Sequence, residues 1–332
     1  MTLADRLRER IEREGPITFH DYMEAALYDP DGGYYARGPR IGGTGADFST
    51  SVSFESFRDA IATLVERLAL PRVVELGAGT GLLARTVKER VPDVEYVTVD
   101  VSPGLRAQQT RVPGVRAVAT TRELAPGPTL VFANELLDAL PVRRVVGGPD
   151  ETLLEVHVAL SNDGKFRERL LPMRDAAVHA RLRREGVLPQ RGQIIDVAPA
   201  LEDLVRDAAR LADPGVLVLI DYGDVAKKLY APTRLNGTLA VYKSHGRFYD
   251  AFEEVGERDI TADVDFTAVE HAAREACMEP LGLMLQGDFL EALGTSPDDI
   301  VARPSALGSA FLVFAAQRGM RVAWPPPEPS LR

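Results

Sequence analysis

A chain of 332 residues, 45% hydrophobic and 27% charged, has the composition of a folded globular protein, which excludes a disordered or fibrous chain. Asp plus Glu number 49 against 39 Lys plus Arg, and the resulting charge of −10 argues against nucleic acid as a partner, since phosphates are repelled. Cys277 is the single cysteine, so an intrachain disulfide is excluded, and no apolar run reaches the roughly 18 residues that would predict membrane insertion.

Leu3, Leu7 and Ile11 recur every four residues and predict an amphipathic first helix that stops at Gly15-Pro16. The same opening stretch carries Asp5, Glu9, Glu12 and Glu14 and lacks an apolar core, unlike a signal or transit peptide, so the expectation is a cytoplasmic protein. A short helix is expected from Phe19 to Leu27, then a loop rich in Gly, Asp and Pro from Asp29 to Ser51, then a helix over 54–69.

From there the pattern changes. RVVELGAGTG (72–81) reads as a buried strand ending in a glycine turn, and a helix follows over 82–91. Further strands are expected at 94–100, 115–120, 129–134 and 215–223, with a helix over 201–211 and a last strand at 309–317. Strands that are apolar throughout and alternate with helices predict an α/β fold, a mainly parallel, doubly wound, Rossmann-like sheet covered on both faces. Residues 1–70 are expected to form a helical and loop cap over the ligand site. Residues 71–320 form the core, with insertions decorating its one sheet at about 142–192 and 224–258, and 321–332 form an extended proline-rich tail.

Gly77, Gly79 and Gly81 form G-x-G-x-G at the first strand-to-helix junction, where a side chain would block a ligand from the backbone and the helix start favours negative charge. A dinucleotide fingerprint would need glycine at position 82, and Leu82 stands there, which disfavours a pyrophosphate cradle. Asp100 closes the second strand, beside the end of the first, where a carboxylate can accept both hydroxyls of a ribose. It can equally cap the turn at Ser102-Pro103. Strand, glycine turn, helix, strand and acid point to a nucleoside ligand without a diphosphate; S-adenosylmethionine is such a ligand on this architecture by fold analogy. Glu75, at the end of the first strand, either approaches the amino group of a bound amino-acid moiety or is structural. Asn134, Glu135 and Asp138 follow the fourth strand. Two carboxylates and an amide at one rim suit a guanidinium fork, and an ordinary helix N-terminus would look the same.

The five histidines show no metal-ligand spacing, so no metal site is expected. Tyr222 and Tyr242 are read as packing residues with stacking on an adenine as the alternative; His245 is a weaker acceptor-side candidate. Cys277 is expected in a helix as a small buried residue.

Several segments together resemble the MidA-type methyltransferases, a family that includes a mitochondrial protein-arginine methyltransferase acting in complex I assembly. They are GPITFHDYMEAALYDPDGGYY, GADFSTS, VVELGAGTG, VDVSPGLRAQQ, ANELLDALPV, LIDYG, DITADVDF and LGLMLQGDFLEALG, in that order through nearly the whole chain. The resemblance implies a class I methyltransferase fold and S-adenosyl-L-methionine as cofactor. It also implies a protein substrate presenting an arginine, symmetric dimethylation and a link to a respiratory complex I subunit. By the same resemblance Gly77, Gly79 and Gly81 line the cofactor, Asp100 holds its ribose, Asp47 and Phe48 help to cover it, and Asn134, Glu135 and Asp138 face the acceptor. Two departures fall in loops expected to shape the acceptor side: Val52-Ser53 in place of a Pro-Glu pair, and Asp263 in place of histidine. A non-catalytic assembly protein keeping this fold, and an NAD(P)-dependent oxidoreductase, are the alternative readings.

Overall fold

The computed structural model describes residues 1–36, 50–243, 246–248 and 250–326. Contacts divide the chain into two compact units, each drawn from three separated segments. One combines Met1–Pro39, Asp138–Leu201 and Asp224–Thr267; the other combines Arg40–Leu137, Glu202–Gly223 and Ala268–Arg332.

The second unit holds a seven-stranded run of sheet. Its strands are β1 (Arg72–Leu76), β2 (Glu95–Val99), β3 (Val115–Val118), β4 (Gly127–Asn134), β5 (Ala212–Asp224), β6 (Glu279–Leu285) and β7 (Phe311–Arg318). They lie in the order β3-β2-β1-β4-β5-β7-β6, with β1 to β5 parallel and β7 antiparallel to both neighbours. The central strands are apolar at successive positions because both faces are covered: Leu130 to Ala133 and Val216 to Ile220 are all buried. Helix α3 (Glu55–Leu68) buries Phe57, Ile61, Leu64, Val65 and Leu68 at helical spacing, and α4 (Leu82–Arg90) buries Leu83, Ala84 and Val87. Each such side chain contributes roughly 1.5–3 kcal/mol relative to exposure.

The first unit has a sheet of its own. Strands Ile17–Thr18, Arg143–Gly147, Leu153–Leu160, Phe166–Pro172 and Ile194–Val197 pair antiparallel throughout. The stretches expected as insertions on one sheet thus join the N-terminal helices α1 (Leu3–Glu14) and α2 (Phe19–Tyr28) in a separate unit, with a core that includes Val145, Leu182, Val197 and Tyr230. Residues 1–70 do not stay together either, since α3 belongs to the sheet of the second unit. Arg181 ties two of the first unit's segments: it reaches Asp265 at 2.9 Å, Glu185 at 3.1 Å and the Ala198 carbonyl at 3.1 Å, with the Arg181, Glu185 and Asp265 side chains buried.

Two smaller expectations are corrected. Cys277 is exposed and lies just past the helix Phe266–Glu275, in the left-handed conformation (φ 60°) that ends it. The described part of the tail is packed: the Trp324 ring lies 5.5 Å from that of Phe289, and Arg67 donates to the Pro326 carbonyl. Among the described residues, no helix is long and apolar enough to cross a membrane.

Candidate active site

Strand register assembles the candidate site. Leu76 on β1 pairs with Val99 on β2 and with Ala133 on β4. Gly77, Asp100 and Asn134 are therefore the next residues on three adjacent parallel strands and leave the sheet at one level. The strand order reverses between β1 and β4, which is where a doubly wound sheet opens its ligand crevice.

Gly77, Gly79 and Gly81 all have positive φ, at 65°, 51° and 81°. A Cβ at Gly77 would lie 2.8 Å from Leu136 Cδ1, so the glycine turn and the segment after β4 touch at this point. Gly77 N–H donates to the Val99 carbonyl and Gly81 N–H to that of Ala78, and the turn feeds into α4. Its backbone is left without bulky side chains at the start of a helix.

Asp100 is buried, and burial pushes its carboxyl above the usual range, opposed by the Ser102 and Gln109 hydrogen bonds and by the charge of Arg106. Its Oδ1 accepts from Ser102 N–H at 2.9 Å and its Oδ2 from Gln109 Nε2 at 3.0 Å. A carboxylate oxygen has two lone-pair sites, so one remains on each for a ligand hydroxyl. Glu75 is also buried; desolvation is the main cause that raises its pKa to about 7, while the Tyr96 hydroxyl donates to its Oε2 at 2.8 Å and pulls the other way.

At the end of β4, Asn134 is nine-tenths buried. Its Nδ2 donates to Glu135 Oε1 at 2.8 Å, and among the described residues no donor reaches its Oδ1. The same Glu135 oxygen accepts from Ser51 N–H at 2.8 Å. Glu135 has φ 50°, an uncommon conformation for a residue with a Cβ, of the kind that clusters at functional sites. Asp221, fully buried on β5, fixes the segment: its Oδ2 accepts from Leu136 N–H at 3.2 Å and from Leu137 N–H at 2.8 Å. Asp138 falls in the first unit, where its carbonyl accepts from Ala262 N–H and its charge acts on Tyr35.

A family model described as "Putative S-adenosyl-L-methionine-dependent methyltransferase" matches residues 60–284. The chain belongs to this methyltransferase family. S-adenosyl-L-methionine is its cofactor, the fold is that of class I methyltransferases, and the MidA-type resemblance holds. The methyltransferase is similar over 97% of its length to a likely methyl transferase from Burkholderia thailandensis crystallised with S-adenosyl-homocysteine, at 31% identity and TM-score 0.86 over 93% of that chain. A native structure of a Burkholderia thailandensis protein matches at 30% identity and TM-score 0.83, covering 97% of this chain and 92% of that one. Among curated proteins, the Drosophila melanogaster protein arginine methyltransferase NDUFAF7 homolog is 29% identical over 88% of this chain and 75% of its own length. The human NDUFAF7 is 24% identical over 87% and 72%. These relatives are named as mitochondrial, which overturns the cytoplasmic assignment drawn from the acidic N-terminus.

The methyltransferase's donor and acceptor set fits that cofactor: a turn with glycine at 77, 79 and 81, a buried acid with two lone pairs left over among the described residues, and Leu82 where a diphosphate cradle needs glycine. Asp47, Phe48 and His245 lie outside the described residues. Tyr222 packs on Phe311 with ring centroids 3.9 Å apart, in keeping with the packing reading. Val52 and Ser53 offer their carbonyls to Arg58, and Asp263 pairs with Arg234 at 3.2 Å. His20, Asp21 and Glu24 bring ligand-type atoms within 4.8 Å of one another, but the Asp21 carboxylate is engaged with His20, and its N–H donates to the Thr18 hydroxyl that caps the helix. Ser51, Gln109 and Asp221 were singled out by no motif role; for Asp221 the available signal was an acid at the end of an otherwise apolar strand.

Proposed function

We propose that this methyltransferase modifies the guanidinium of an arginine presented by a partner protein. The reading is carried by the common level at which Gly77, Asp100 and Asn134 leave three adjacent strands, which supports a cofactor half beside an acceptor half. When bound, S-adenosyl-L-methionine supplies an electrophilic methyl group. Gly77, Gly79 and Gly81 give it a bare backbone, Asp100 accepts its ribose hydroxyls, and Glu75 lies beneath the turn. Glu135 and Asn134 orient the acceptor. A carboxylate attracts the planar cation, and an amide oxygen that no donor among the described residues reaches takes one N–H, which aligns the nitrogen for displacement. The arginine methyltransferase names of the curated relatives support the choice of acceptor. Symmetric dimethylation and a respiratory complex I subunit as acceptor are the finer form of the same proposal.

Calorimetry with S-adenosylhomocysteine and mass spectrometry of the arginine-methylated proteome test it together. Asp100→Ala is expected to weaken binding at least tenfold, since each charge-assisted bond to a hydroxyl contributes roughly 1.5–3 kcal/mol. Unchanged affinity would remove Asp100 from the site. A proteome whose arginine methylation is the same with and without the gene would remove the acceptor.

A further inference from the structure

We propose that Gln109 is a positioning residue for cofactor binding, holding Asp100 charged and oriented while tying it to the glycine turn. Gln109 ends the helix Pro103–Gln109 and is completely buried. Its Nε2 donates both to Asp100 Oδ2 at 3.0 Å and to the Gly79 carbonyl at 2.9 Å. Its Oε1 accepts from the Thr98 hydroxyl at 2.7 Å, on β2 two residues before Asp100. That bond decides the amide's orientation. With the hydroxyl on Oε1, both hydrogens of Nε2 face acceptors, and every capacity used is matched in sign. A Cβ built on Gly81 would also lie 3.5 Å from the Gln109 Cα, so the same residue backs the third glycine.

The consequence is chemical as well as geometric. A buried carboxyl favours its neutral form, and a neutral Asp100 would offer fewer acceptor sites to a ribose diol. The charged and titratable groups that act on it are Arg106 and Glu75; the donors are Ser102 N–H and Gln109 Nε2. Gln109 also reaches the turn, through the Gly79 carbonyl.

The inference rests on Asp100 holding the ribose, and the test separates the two. Affinity for S-adenosylhomocysteine is measured by calorimetry on the full chain between about pH 6 and pH 8, a range in which an ordinary Asp does not titrate. The parent carries the Glu75 titration near 7, and each Gln109 variant is read as the change in pH slope relative to it. Gln109→Met removes both donors without adding charge, so binding weakens by about tenfold or more and worsens as pH falls and Asp100 takes up a proton. Gln109→Glu places an acid against Asp100, so binding worsens in the opposite direction, as pH rises. Thr98→Val, a milder change that leaves the amide free to turn over, weakens binding a few-fold. Combining Gln109→Met with Asp100→Ala costs no more than Asp100→Ala alone. If Asp100→Ala binds as the parent does, the ribose reading fails. If Asp100→Ala is weak but the Gln109 variants keep parental affinity, or lose it equally at every pH, Gln109 has no positioning role.

Discussion

Glu75 shows what a buried acid costs the fold. Its carboxyl titrates at about 7, against an ordinary value of 4.5, chiefly because desolvation penalises the charge. The folded protein therefore binds more protons than the unfolded chain between these values, and stability falls as pH rises through that window. The full penalty above neutrality is about 3 kcal/mol. Glu75→Gln is expected to match the parent near pH 4.5 and to exceed it by up to that amount at pH 8, as read from denaturant midpoints; identical profiles would place the burial cost elsewhere. At Glu135 the hydrogen bonds predict a different outcome. Both Ser51 N–H and Asn134 Nδ2 use one oxygen, Oε1, which a glutamine can supply. Glu135→Gln keeps an acceptor for both donors while removing the charge, so it should raise KM for an arginine peptide with little change in S-adenosylhomocysteine affinity. Glu135→Ala should lose roughly 1–3 kcal/mol of stability through the stranded Ser51 N–H. Asp100 was legible in the sequence because its position at a strand end after a glycine turn narrows its uses. Gln109 was not, since a glutamine in a short helix has no periodicity to betray it and its partners are distant in the fold. That no donor among the described residues reaches the Asn134 oxygen is likewise a property of packing alone.

Among the elements, the glycine turn makes the firmest demand on sequence. Gly77→Ala meets two penalties: a Cβ in the left-handed region, costing roughly 1–2 kcal/mol, and a collision with the Leu136 side chain. Gly186, with φ 66° and open space around it, suffers the first alone. Both alanine variants are expected to lose stability, but only Gly77→Ala should weaken S-adenosylhomocysteine binding, because only there must the segment after β4 move. Equal affinities in the two variants would contradict this coupling. Strands β1, β2, β4, β5 and β7 were legible because continuous apolar runs ending in polar turns are what doubly covered strands require. Strand β6 was not. It borders the sheet, its residues are largely half-exposed or exposed, and Gly282 interrupts its register, so neither a buried run nor a clean alternation marks it.

Across the whole molecule, the sequence pattern showed where helices and strands form but not which of them pack together. Segments that read as decorations of one sheet share a second core, because burial on an antiparallel sheet leaves the same local alternation whichever partner covers it. That unit hangs on Arg181. Desolvation and the Asp265 charge raise Glu185 to about 7, and Arg181 is the cation between the two acids. Arg181→Met should cost about 3–5 kcal/mol by stranding buried charge, and more at pH 8 than at pH 6, where one acid can take up a proton. A loss independent of pH would assign the effect to packing.

Interleaved segments also order events during synthesis. The helices at Leu3–Glu14 and Phe19–Tyr28 leave the ribosome before the rest of their unit, and the strands and the Asp265 carboxylate that complete it emerge only as translation approaches Thr267. At about 5–20 residues per second that wait lasts roughly 10–50 s. Throughout it the apolar stripe of Leu3, Leu7 and Ile11 has no finished core to enter, so nascent chains stalled before Thr267 should be held by chaperones and remain protease-sensitive in both units.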